Sequence, residues 1–234
     1  LISKVDDAQW FVVFTRINGM PGREGIGCVL VDRQSPGFEV TARYQTRGGE
    51  YLGELQFNNV EVPLENVILR EGAFKKLLGA FNTQRCLNPS ISLGMAEAAF
   101  EEAVKYVRER SIRGQAVAEF QGIQWKLAEM YRDIEAGRAL LYQAALSANP
   151  FPDPHLAALA KMYNNDMAVR IASEAVQVHG GYGFTNDYPV SRIYRAARYG
   201  SLGGGATEAL KDLIGKRLVK DFDPVDGFLT MGTF

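Results

Sequence analysis

Gln177-Val178-His179-Gly180-Gly181-Tyr182-Gly183-Phe184 closes a helical pattern that begins near His155. The glycines stop the helix, permit a tight turn, and allow a ligand to approach the backbone. No strand precedes them, so they are not a dinucleotide-binding G-x-G-x-x-G turn, and no Gly-Lys-Ser/Thr follows, so they are not a phosphate-binding P-loop. Helix termination with close packing is the competing reading of the same residues.

Upstream of this turn the apolar residues keep a helical period. Phe74, Leu77, Leu78 and Phe81 begin a stripe, and Leu93, Ala96, Ala99, Phe100, Val104 and Val107 extend it past Pro89, where a kink or restart is expected. Residues 119 to 147 form a second helix. Asn149-Pro150-Phe151-Pro152-Asp153-Pro154 stops it, and a third helix runs from His155 to Val178. Shorter helices are predicted over Val190 to Ala197 and Thr207 to Val219. Long amphipathic helices joined by short turns predict an antiparallel four-helix bundle.

Residues 10 to 70 read differently. Trp10 to Thr15, Gly27 to Val31, Phe38 to Val40 and Leu52 to Val62 are strand-like runs separated by turn clusters, and Gly48-Gly49 predicts a bulge or a close backbone approach. The fold class is therefore α+β. A partial β-barrel-like domain (1–70) precedes a helical bundle (71–220), and the tail, 221–234, is an unpatterned segment or an interface arm.

The 234 residues suffice for a sizeable core, and 47% hydrophobic with 23% charged residues is a globular composition. A net charge of -1 argues against nucleic acid as a partner. No apolar run reaches membrane-spanning length. Two cysteines and two histidines, in no ligand spacing, predict no metal site. Cysteine usage and the lack of a signal peptide point to the cytoplasm, or to the mitochondrial matrix in a eukaryote. Asp133 and Glu135, near Arg132 and Arg138, read as interhelix or surface pairing. His155 reads as a surface residue, while His179 either faces a cofactor or packs.

Several segments in order resemble the acyl-CoA dehydrogenase family of flavoproteins over residues 1 to 218. They are Phe57 to Val67, Arg110-Ser111-Ile112-Arg113-Gly114 with Phe120-Gln121, Gln177 to Phe184, and Asp187 to Arg198. The resemblance implies FAD as cofactor, a CoA thioester as substrate, an electron-transfer acceptor, and a homo- or hetero-oligomer. It implies that a helical domain and the first strands belong upstream of Leu1. Arg110 and Gln121 would contact FAD across a subunit interface, and Gln177, Gly180 and Gly181 would approach the FAD of a neighbouring subunit. Arg85 would face the thioester or its phosphate-bearing arm, and Arg113 replaces an aromatic residue.

The family's catalytic glutamate stands in one of two places. The matching residues here are Gly204, in the Gly203-Gly204-Gly205 loop, and Gln84, just before Arg85. Neither can act as a carboxylate base. The resemblance thus leaves three readings: an acyl-CoA oxidoreductase with a displaced base or altered chemistry, a non-catalytic partner subunit, and a structural flavin-fold protein. Glu208 is the nearest carboxylate in sequence, four residues beyond Gly204.

Overall fold

The computed structural model describes residues 1–221; the tail from 222 onward lies outside the described residues. The chain divides into two compact units, Leu1–Leu78 and Gly79 onward.

The first unit carries six strands, β1 (Ile2–Ser3), β2 (Trp10–Arg16), β3 (Ile26–Asp32), β4 (Phe38–Gln45), β5 (Tyr51–Phe57) and β6 (Val67–Leu69). They form two antiparallel three-stranded sheets, ordered β1-β5-β4 and β2-β3-β6. The described residues close no barrel, because no ladder joins one sheet to the other. Side chains make the link instead: Phe11 of β2 stacks on Phe38 of β4 at 4.8 Å, and Phe38 meets Phe57 edge-on at 5.4 Å. The final strand-like run stops at Phe57, five residues early, since Asn59 takes a left-handed φ of 49° that turns the chain.

The glycine expectations shift place. Gly49 (φ 96°) only turns the β4–β5 hairpin, with nothing near its open side. Register shifts lie between Val40 and Ala42 and between Cys28 and Val29, and one of several close approaches lies at Gly53, where a Cβ would stand 2.6 Å from Val5 Cγ2.

Helix α1 (Phe74–Glu109) runs unbroken through Pro89, which is fully buried. Proline offers no N–H to the Arg85 carbonyl one turn earlier, so packing, not backbone bonding, carries the helix across this point. A two-residue hairpin, β7 (Ser111–Ile112) with β8 (Gln115–Ala116), turns at Arg113 (φ 55°) and Gly114 (φ 80°). Positive φ at both turn residues matches the twist of a tight hairpin.

Then come α2 (Gln121–Leu146), α3 (Pro154–His179), α4 (Pro189–Ala197) and α5 (Thr207–Asp221). The Asp153 carboxylate caps α3 by accepting from the His155 and Leu156 N–H groups, and Pro154 opens the first turn. Cross-helix pairs fix the directions. Lys126–Glu174, Asp133–Arg170 and Gly137–Asn164 descend along α3 as they rise along α2, so these helices are antiparallel. Ser92–Asn165 and Tyr106–His179 rise together, so α1 and α3 are parallel. Asp133, with Arg132 and Arg170, and Glu135, with Arg138, supply the pairing expected of them. The core is alanine-rich, with Ala96, Ala99, Ala103, Ala168, Ala172 and Ala175 excluded from solvent.

Small residues bring α2 and α3 close. At Gly137 a Cβ would stand 2.5 Å from Asn164 Oδ1, and Asn164 is itself bonded to the Gly137 carbonyl. Gly137→Val should therefore lower stability in urea denaturation by about 1–3 kcal/mol. Gly215→Ala in α5, where a Cβ meets nothing within 4 Å, should instead stabilise by roughly 0.5–1 kcal/mol.

Candidate functional site

The second unit brings the singled-out residues together in two places. At the end of α3, Gly180 takes φ 60° and stops the helix, its N–H bonding to the Gln177 carbonyl. Beside it lies a cavity of about 590 Å³ whose lining includes Arg110, Ile123, Lys126, Gln177, Gly180 and Gly181. The glycines there do different jobs. A Cβ on Gly180 or Gly181 would meet nothing within 4 Å, so their open side faces free space. A Cβ on Gly183 would lie 2.5 Å from the Val176 carbonyl oxygen, so Gly183 serves packing. Close packing thus accounts for Gly183 and not for Gly180 and Gly181.

Arg110 is exposed at the end of α1, its guanidinium 5.9 Å from the Tyr182 ring centre. Gln121 begins α2 and is exposed, outside the lining of this cavity. His179 is buried and stacked on Tyr106 at 4.3 Å, while still lining the cavity. Its Nδ1 lies 2.7 Å from the Ala175 carbonyl, which only accepts, so Nδ1 carries the proton. His155 is half-buried rather than at the surface, and burial lowers its pKa.

The second place joins α1, α3 and the glycine loop before α5. Gln84 and Gly204, 120 positions apart in sequence, adjoin: a Cβ on Gly204 would stand 2.5 Å from Gln84 Oε1 and 2.9 Å from Nε2. Gly204 holds φ 68°. Gln84 Oε1 and Arg85 Nε are buried with no hydrogen-bond partner, and Arg85 Nη1 donates to Asn82 Oδ1 at 2.9 Å. Glu208, in the first turn of α5, is exposed.

Behind the loop stands Lys161, wholly excluded from solvent. Its ammonium donates to the Gly205 carbonyl at 2.6 Å and reaches that of Gly200 at 3.5 Å. Burial, and then the Arg85 charge, push its pKa down to about 8. Asn165 adds Nδ2 bonds to Gly200 (2.7 Å) and Asn88 (3.0 Å), and Ser92 donates to its Oδ1 at 2.6 Å. Reading the sequence for motifs passes over Lys161 and Asn165. The available signal was a lysine and two asparagines set at i, i+3 and i+4 on the alanine-lined face of α3.

Among the described residues no group of three or more His, Cys, Asp and Glu is placed to hold a metal ion, and no helix is long and apolar enough to cross a membrane.

The Lys161 proton gives a pH test. The folded protein releases it near pH 8, whereas an unfolded lysine keeps it to about 10.5. Between those values the unfolded state binds more protons, so this group makes stability rise with pH, and below 8 its slope vanishes. Urea denaturation of the protein and of Lys161→Met from pH 7 to 10 should show that slope in the first alone.

The acyl-CoA dehydrogenase C-terminal domain model matches residues 74–219, more than half of the chain. An acyl-CoA dehydrogenase of Bacillus subtilis is 37% identical over 216 residues, covering 91% of this chain and 57% of the relative. A 3-sulfinopropanoyl-CoA desulfinase of Advenella mimigardefordensis is 33% identical, with 89% and 54% covered. The solved structure of butyryl-CoA dehydrogenase from Megasphaera elsdenii superposes with a TM-score of 0.89 at 34% identity, over 93% of this chain and 58% of that one. The chain thus spans somewhat over half the length of the relatives it matches. By the family model over residues 74–219 and by relatives more than 30% identical along about nine-tenths of its length, the chain belongs to the acyl-CoA dehydrogenase family.

Proposed function

We propose that this chain forms part of an FAD-dependent oxidoreductase subunit acting on a CoA thioester, in which no carboxylate serves as the α-proton base. The observation that carries the reading is the meeting of Gln84 with Gly204. Both base positions share one place, and both are neutral.

FAD would be held at the α3 turn by Gln177, Gly180 and Gly181, with Arg110 and Gln121 contributing from their side of a subunit interface. The open side of Gly180 and Gly181 fits close approach of a planar group to the backbone. Bound there, FAD would supply a two-electron acceptor, to be reoxidised by an electron-transfer partner. Arg85 would bind the substrate. Gln84 can donate from Nε2 and accept at Oε1, so it can orient a thioester but cannot take up a proton as a carboxylate does. A relative named for desulfination of a CoA thioester fits a family site whose reaction is not confined to dehydrogenation.

A second reading, a non-catalytic partner subunit in a hetero-oligomer, is favoured by the same neutral pair. Such a subunit would complete a neighbour's flavin site through the α3 turn.

Anaerobic stopped-flow absorbance on the complete flavin-loaded subunit tests these readings. With butyryl-CoA, flavin bleaching should be roughly 100- to 10,000-fold slower than in the Gln84→Glu variant. Gly204→Glu should give no gain, because its side chain meets the Gln84 amide at a φ of 68°. Fast bleaching without substitution would refute the missing base. Activity that appears only with a second family subunit would select the partner reading, and failure of the complete subunit to take up FAD would refute the cofactor assignment.

A further inference from the structure

We infer that Lys161 is a positioning residue of the proposed acyl site: from behind the glycine loop, without touching ligand, its N–H donors fix the Gly205 carbonyl and so hold Gly204 against the Gln84 amide. This rests on the proposed CoA-thioester function and adds to it a residue outside both the α3 turn and the two base positions.

The loop cannot hold itself. Four of the six residues from Gly200 to Gly205 are glycine, and Gly204 and Gly205 both take positive φ, 68° and 97°. Such a segment has many competing backbone states. Gly204 is flanked by two bonds. On one side the Gly203 N–H donates to the Tyr199 carbonyl at 3.0 Å, which closes the loop on its own turn. On the other the Lys161 ammonium donates to the Gly205 carbonyl at 2.6 Å, and of the two only this bond ties the loop to a helix. Asn165, one helical turn along α3, holds the far end at Gly200. Lys161 has no exposed surface, so its action on a ligand passes through the loop backbone.

The hydrogens anchor the loop, and the charge is a burden on it. A neutral amine keeps two N–H donors and is less costly to bury than an ammonium. Burial and then Arg85 of α1 bring the pKa down to about 8. The other charges on the surrounding elements are engaged or exposed: Arg138 of α2 pairs with Glu97 and Glu135, Arg198 after α4 donates to Ser201, and Glu208 and Lys211 of α5 are exposed. A loop that opened would admit water to the amine and return its pKa toward 10.5. The open state then binds more protons between those values, so raising the pH through that window favours the closed loop.

Hydrogen exchange over residues 199–206 and calorimetric titration with butyryl-CoA, both on the complete flavin-loaded protein, test this role. Lys161→Met should bind butyryl-CoA roughly tenfold more weakly, and exchange over 199–206 should quicken by a similar factor while α2 is unchanged. In the unaltered protein, exchange over 199–206 should be faster than over α2, the mark of local opening. Corrected for its intrinsic rise with pH, it should slow roughly tenfold from pH 8 to 9.5. Saturating butyryl-CoA should slow it further. These last measurements need no variant and decide the matter if Lys161→Met does not fold. Binding by a folded Lys161→Met within about twofold of the unaltered protein would overturn this inference alone. So would exchange quickened equally in the loop and in α2, since Lys161 would then serve only to keep the unit folded. Loop exchange indifferent to pH or to butyryl-CoA would overturn it as well. Failure of the unaltered protein to bind butyryl-CoA at all would refute the proposed function, and this role with it.

Discussion

A lysine ammonium without solvent, anchored on the carbonyls of Gly200 and Gly205, is the constraint around which the second unit is arranged. Glycine segments of this kind have no side chains with which to hold themselves. Their conformational entropy would keep the loop before α5 in many states. Lys161 and Asn165 both bond to it from α3, and Asn88 and Ser92 of α1 complete the set. Each of these polar groups would be expensive to bury alone, and their mutual bonding makes burial tolerable. The network thereby ties two helices and the loop into one arrangement, and Gly204 is held where it is.

That fixed position determines what can stand beside it. Gly204 combines a left-handed φ with a neighbour, Gln84, that already fills the space a side chain would take. The two residues therefore share one place although 120 positions separate them in sequence. A side chain at 204 would have to displace the amide at 84, so a carboxylate is sterically compatible with this backbone at 84 and poorly compatible at 204. Pro89, one turn beyond Arg85, has no N–H to offer the Arg85 carbonyl beside the same site.

The helices were legible in the sequence because their stripes are long: α2 and α3 fall within two residues of the expected limits, and the asparagine-proline turn between them was plain. Gln84, Gly204 and the α3 turn were legible as motifs, though their spatial partition was not. The sheet unit was read less well. Strand β4 continues five residues past Val40, and β6 was missed, because a three-residue strand is too short for a period to register. The position of Gly53 beneath Val5 depends on a strand pairing that no local pattern announces. Lys161 escaped for a comparable reason. A lone lysine on a helix is ordinarily solvated, and only the fold shows that its face is covered.

The two sites lie at different levels of one helix. From Lys161 to Gln177 is 16 positions, on the order of 24 Å along α3. A rigid, alanine-packed helix keeps that separation fixed, so the cavity at Gln177 and the Gln84–Gly204 meeting point are not two walls of one small pocket. A single subunit can serve both only by offering each to a different centre, or to different parts of an extended ligand. The proposed assignment of the α3 turn to a neighbour's flavin takes the first course. Under that proposal α3 has two duties: its middle fixes the loop at the proposed acyl site, and its end would supply backbone to the next subunit's flavin. A helix with both duties must be stiff between them. The alanine core, the tight crossing at Gly137, and the antiparallel pairs along α2 provide that stiffness.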